Sequence, residues 1–265
     1  TYYRNDLPKW VQKFNTTTKL YLKEWQTLLP ITTYTESGPD DNNFEEAFDG
    51  NTSVTFPYDL KKLSKENGGY DILKATPYGN EMTTDFAIEA IKNENLGEDN
   101  HTDFLTLSYS STDYVGHQFG VNSVEVEDTY IRLDKDLERL FDYLDAHVGK
   151  DAYTMFLTAD HGAVNVPNYL KSQHIPAGYF NKKAFKKNVE SVLKQQFKVD
   201  GLVKNISNNQ LFLNREVIKT NNLNLNTIQE FLVQEIILFK HIDKAYSAKT
   251  LSTTQFVSGV GALVQ

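Results

Sequence analysis

The sequence predicts an α/β chain: parallel strands joined by crossover helices, followed by a smaller α+β insert. Two observations carry that expectation. Residues 104–158 read as strand, long amphipathic helix, strand, the order of a right-handed crossover between parallel strands. From Asn181 the pattern changes to a basic helix, Asn-rich turns and paired short strands, an α+β order that suits a cap. The division therefore falls near 180, with 1–180 as core carrying N-terminal cap elements. Residues 181–265 are then the insert and a return toward the core.

The elements follow in chain order. Residues 1–30 suggest two short helices, around Trp10–Phe14 and Leu20–Leu28, before the polar loop Ser37-Gly38-Pro39-Asp40-Asp41-Asn42. After Asn80, the positions Met82, Phe86, Ala87, Ala90 and Ile91 step at helical spacing until about Gly97. Phe104–Tyr109 and Tyr153–Thr158 are short apolar runs of the buried-strand type. Between them Val126, Tyr130, Leu133, Leu137, Leu140, Phe141 and Leu144 recur by threes and fours, with a cap-like Asn122-x-x-Glu125 ahead and Gly149 behind. A basic amphipathic helix spans 182–197. Strands flank Ser207-Asn208-Asn209, a helix runs from Asn226 to about Phe239, and a strand lies near Ile242–Ser247.

Composition sets limits on the chemistry. With 265 residues, 40% apolar and 23% charged, the chain has ample material for a core. Its net charge is −8, and 27 Lys+Arg against 35 Asp+Glu argue against a nucleic-acid clamp built on phosphate neutralisation. No run approaches the ~20 apolar residues of a membrane span. There is no cysteine, so any zinc must sit on His and carboxylates. The chain opens Thr1-Tyr2-Tyr3-Arg4-Asn5 without Met or signal peptide and stops in the apolar run Val260–Gln265. It reads as a piece cut from a longer protein.

Two clusters stand directly after the two strand-like runs. Asp113-x-x-x-His117 places a carboxylate and an imidazole on one face of a helical turn, where both can bind one cation. Asp160-His161-Gly162 can converge on an ion if the chain bends out of extended geometry, which Gly162 would permit. Taken singly, each has a plainer explanation: Asp113 as a helix cap with His117 on the surface, and Asp160-His161-Gly162 as a strand-to-loop turn. Their recurrence at equivalent ends of two strands favours a two-metal centre clamping a phosphoryl group. His101 reads as a loop residue, His147 as a helix-end residue and His241 as part of the insert; His174, thirteen residues past His161, is a candidate further ligand that its neighbours Gln173 and Ile175-Pro176 make better read as a loop residue. Lys182, Lys183, Lys186 and Lys187 read as a solvated helix face. No phosphate-cradling GxxxxGK[ST] or GxSxG elbow is present.

The stretch Thr106–Gly120, with its D-x-x-G-H-x-x-G pattern, followed by Phe156-Leu157-Thr158-Ala159-Asp160-His161-Gly162, resembles the alkaline phosphatase superfamily. In particular it is similar to bacterial, exported PafA-type alkaline phosphatases, which share the type I phosphodiesterase/nucleotide pyrophosphatase core. Thr76-Pro77-Tyr78-Gly79-Asn80 and Pro167-Asn168-Tyr169-Leu170 extend the likeness over roughly the middle third. The resemblance implies a two-zinc phosphomonoesterase acting on small phosphate esters through a phospho-Thr/Ser intermediate, in a periplasmic or secreted setting. Asp113 and His117 match two ligands of one zinc, and Asp160 and His161 two ligands of the other. The nucleophile, a further Asp, a late His and the substrate-contacting Asn, Lys and Arg have no match here and are expected outside the chain. The chain alone is therefore expected to be inactive and to hold zinc weakly. The rival readings are a phosphodiesterase or nucleotide pyrophosphatase on the same core, and a noncatalytic binding domain that has lost its metals.

Overall fold

The computed structural model describes residues 5–264; Thr1–Arg4 and Gln265, part of the termini discussed above, lie outside the described residues. The chain divides into two compact units, Thr1–Ala177 and Gly178–Gln265.

In the first unit, α1 (Lys9–Asn15) precedes a 3-10 turn over Thr18–Tyr21 and the short strand β1 (Glu24–Trp25). The helix expected over Leu20–Leu28 is thus absent. The reason is long-range: Asp128, fully buried, accepts from Trp25 Nε1 at 2.8 Å, Leu28 N at 2.7 Å, Tyr34 Oη at 2.5 Å and Arg132 Nε at 2.7 Å. Four donors satisfy one buried carboxylate and hold the chain in an open path that a local helix would prevent. β1 pairs antiparallel with β2 (Tyr58–Asp59), and α2 (Leu60–Leu63) follows directly. Trp25, Tyr58, Phe48 and Phe119 are all buried and meet mainly edge-to-face, with ring centroids 5.3–5.9 Å apart.

A 3-10 stretch, Gly69–Ala75, leads into α3 (Pro77–Asn93), which starts earlier and ends earlier than the apolar spacing alone implied. Pro77 in its first turn costs no hydrogen bond there. α4 (Ser111–Phe119) and α5 (Val124–Leu144) come next, α5 passing into a π turn over Asp145–Gly149. The cap of α5 is Ser123, whose hydroxyl accepts from Val126 N at 3.2 Å; Asn122 instead donates to Asn165 Oδ1 at 2.7 Å. α6 (Pro167–Ser172) is short.

The parallel strands are not formed among the described residues. Residues 104–109 and 153–158 carry no ladder hydrogen bonds, and Phe104 (81% exposed), Phe156 (77%) and Leu157 (67%) face solvent. A β-run is buried only when neighbouring strands complete its ladder and its faces. No described strand does so for these two. The sheets observed are two antiparallel pairs of two strands each.

The second unit begins with α7 (Lys182–Phe197), capped by Asn181, whose side chain accepts from Ala184 N at 2.9 Å. β3 (Val203–Ser207) and β4 (Gln210–Leu213) form a hairpin. Its turn residues Asn208 and Asn209 both have positive φ, 47° and 58°, the two-residue turn that asparagine tolerates. α8 (Arg215–Thr220) and α9 (Leu225–Ile236) carry Asn caps at Asn214 and Asn224. Val189, Leu193, Leu202, Ile228 and Leu232 make the core. Residues 242–247 form no strand; α10 (Ala248–Thr253) and α11 (Gly259–Val264) close the described chain.

Candidate functional site

α4 carries two stripes. Ser111, Val115 and Phe119 are buried at successive i,i+4 positions, which turns Asp113 and His117 outward on the opposite side. Val115 and Phe119 join the aromatic core and anchor the helix there. His117 Nε2 stands 3.4 Å from Asp113 Oδ2.

The second cluster comes to the same place. His161 Nε2 lies 4.0 Å from Asp113 Oδ1 and 3.7 Å from Asp160 Oδ2. The loops behind the two clusters are tied by the Asn122–Asn165 bond and share the walls of a cavity of about 100 Å³, lined among others by Phe119, Val166 and Tyr169. That space suits a few waters rather than a substrate. The donors themselves are on the surface: His117 and His161 side chains are 76% and 61% exposed.

His161 shows how an imidazole is oriented. Its Nδ1 lies 3.0 Å from the Gly162 carbonyl, so Nδ1–H donates there and Nε2 is left as the outward lone pair. That bond is the main cause of a raised His161 pKa; Asp160 and Asp113 raise it further. Gly162 has no left-handed backbone, and a Cβ there would meet nothing within 4 Å, so the bend does not depend on glycine.

The side chains gathered here are of the types that zinc accepts. Tetrahedral ligands about 2.0–2.1 Å from zinc stand about 3.3 Å from one another, close to the 3.4 Å and 3.7 Å separations within the two pairs. All donors are oxygen or imidazole nitrogen, as a chain without cysteine requires. Among the described residues no group of three or more His, Asp or Glu is gathered tightly enough to hold an ion alone. The donors come in twos.

A family model for type I phosphodiesterase/nucleotide pyrophosphatase matches residues 8–248. The chain belongs to that family. It is 48% identical over 248 residues to a Myroides odoratus protein named calcium-transporting ATPase, covering 92% of this chain and 44% of that protein. It is 41% identical over 240 residues to alkaline phosphatase PafA of Elizabethkingia meningoseptica, covering 89% and 43%. The crystal structure of wild-type PafA superposes with a TM-score of 0.82 at 37% identity, over 98% of this chain and 50% of that one. The chain is thus PafA-like within the alkaline phosphatase superfamily, and it spans less than half the length of these curated relatives.

The remaining histidines play no part in the cluster. His101 sits against Asp99 at 3.4 Å, and His147 stacks on Tyr143 with ring centroids 3.9 Å apart. His174 and His241 occupy positive-φ turn positions. Among the α7 lysines, Lys186 faces Glu190 at 3.8 Å. Sequence reasoning missed two features around the site. Asn80, buried to 1% exposure, accepts from Ser111 N. Glu125, read as half of a cap, is fully buried against Tyr58. Only the Thr76–Asn80 motif gave any signal of the first.

Proposed function

We propose that this chain supplies half of a two-zinc phosphomonoesterase centre, with Asp113 and His117 on one zinc and Asp160 and His161 on the other. The observation that carries this is the approach of His161 Nε2 to 4.0 Å from Asp113 Oδ1, which joins the two pairs from segments more than forty residues apart. Zinc bound there would supply Lewis-acid stabilisation of a phosphoryl group and its leaving oxygen. The chain's own contribution is orientation: α4 presents Asp113 and His117, and the Gly162 carbonyl fixes the His161 tautomer. The exposed position of the donors leaves room for a small phosphate ester from solvent. Each pair gives zinc two ligands where a catalytic site uses three. The remaining ligands and the Thr or Ser nucleophile are assigned to polypeptide outside 1–265, so the chain alone is inactive and holds zinc weakly.

In this reading 1–180 belongs to the metal-binding core and 181–265 is the α+β cap with its return toward the core. The parent works in a periplasmic or secreted setting; an export signal in the full gene is the check. No helix among the described residues is long and apolar enough to cross a membrane.

The test is zinc content and turnover of the full gene product with an aryl phosphate monoester and diester, beside His161→Ala. Two zinc ions and a preference for the monoester are expected, with the variant losing both metal and activity. The family model favours a second reading, a phosphodiesterase; faster turnover of the diester would replace the first by it. A protein that binds no zinc and turns over neither ester would be a binding domain.

A further inference from the structure

The Thr76-Pro77-Tyr78-Gly79-Asn80 motif is so far without a role, and its surroundings give it one. Ser110, which precedes α4, makes no side-chain cap; Thr112 N and Tyr114 N reach the Tyr109 and Ser110 carbonyls, while Ser111 N, the first amide of α4, takes its acceptor from another helix. Ser111 N donates to Asn80 Oδ1 at 3.2 Å, a buried bond from α3 across to α4. One turn along α3, Thr84 Oγ1 lies 3.1 Å from Tyr109 Oη, gripping the segment that feeds into α4. Asn80, Thr84, Ala87 and Ile91 form a single buried stripe on α3.

Gly79 leaves room for the Ser111 side chain and for the backbone of the 69–75 stretch beside the start of α3. A Cβ at this position would stand 2.2 Å from Ser111 Oγ and 2.6 Å from the Leu73 carbonyl oxygen. Asn80 Nδ2 has no partner and is buried, a cost a plain apolar contact would avoid. The Asn80 acceptor at Ser111 explains why a polar side chain stands there.

We infer that Asn80 and Thr84 are positioning residues that set the rotation of α4 about its axis, and with it the placing of Asp113 and His117 toward zinc. The inference rests on the zinc reading above. Donor atoms lie about 5–6 Å from a helix axis, so a turn of about 10° moves them by about 1 Å. Metal–ligand distances hold within about 0.2 Å. A small loosening at Ser111 is therefore enough to spoil the pair.

The test compares Asn80→Leu, which removes the acceptor at similar volume, with Asn80→Asp, which keeps it beside a helix N-terminus that favours negative charge. Ile91→Ala, on the same stripe but away from Ser111, is the stability control. Zinc affinity of the full gene product is measured by chelator competition, and Tm on the zinc-free form. Asn80→Leu is expected to weaken zinc about tenfold or more, the scale of losses for groups that orient metal ligands. Asn80→Asp should recover most of that, and Ile91→Ala should lower Tm with zinc affinity unchanged. The inference is overturned if Asn80→Leu binds zinc like wild type, or if Ile91→Ala weakens zinc as much. Should Asn80→Leu not fold, Thr84→Val carries the test: weaker zinc supports positioning and unchanged zinc overturns it. His117→Ala separates the two levels. If that variant retains all its zinc, the zinc reading itself has failed, whatever Asn80 does.

Discussion

Raising the pH from 5 to 9 should weaken the first unit through one buried acid, Glu125. Its side chain is fully buried; Oε1 accepts from Tyr58 Oη at 2.6 Å and Oε2 has no partner. Facing it are Tyr58 on β2, Glu45 and Asp40 on the preceding loop, and Asp128 one turn along α5, with no cation among them. Burial, opposed by the Tyr58 bond, pushes Glu125 up to about 7 from an ordinary 4.5. Burial and the Glu125 charge push Glu45 to about 9. A carboxyl with a raised folded pKa favours the folded state while it is protonated. Its contribution is complete below the unfolded value and is lost as pH rises through the folded one. For Glu125 the gap from 4.5 to about 7, at about 1.4 kcal/mol per pH unit, amounts to about 3 kcal/mol. The perturbation is Glu125→Gln, which keeps a carbonyl acceptor for Tyr58 and cannot ionise. Urea unfolding followed by the fluorescence of buried Trp25 should show wild type losing about 3 kcal/mol between pH 5 and pH 9, with Glu45 adding to the loss. The variant should lose clearly less and be the more stable protein at pH 9. A wild-type stability that is flat or rising over this range, or a variant with the same slope, would refute the reasoning.

Asp128→Ala strips four donors of one buried acceptor and should cost about 3–5 kcal/mol in the same unfolding assay; a cost below about 1 kcal/mol would mean that water replaces the carboxylate. Gly79→Ala sets a methyl against the Leu73 carbonyl, which cannot swing aside, and should destabilise by about 1–3 kcal/mol; an unchanged Tm would show that α3 can shift away from the 69–75 stretch at no cost. In the second unit, Ile228→Ala removes a fully buried side chain and should cost about 2–5 kcal/mol, measured by calorimetry.

Where the sequence was legible, the cause of the structure was local. α5 and α7 announce themselves by period, and the β3–β4 hairpin by Asn208-Asn209, where the turn needs two positive φ values. The nearness of Asp113 and His117 is likewise local, since the two share one helical face. Elements whose cause lies far along the chain were not legible. Leu20–Leu28 has enough apolar residues for a helix, yet Asp128, a hundred residues away, decides its path. Residues 104–109 and 153–158 have the composition of buried strands, but burial is a property of the partners a strand finds. Asn80 was visible only as part of a motif, because a cap supplied from another helix leaves no spacing rule to read.

The exposed run Phe104-Leu105-Thr106-Leu107-Ser108-Tyr109 also bears on how this polypeptide behaves in a test tube. It is β-prone, uncharged and free of proline, and its backbone amides carry no ladder bonds. Such a stretch is a template for edge-to-edge association. In concentrated solution the isolated chain should self-associate through 104–109 and 153–158 before either unit unfolds. A lysine at Leu105 or Leu107 would act as a gatekeeper against this, and dilute handling would serve the same end.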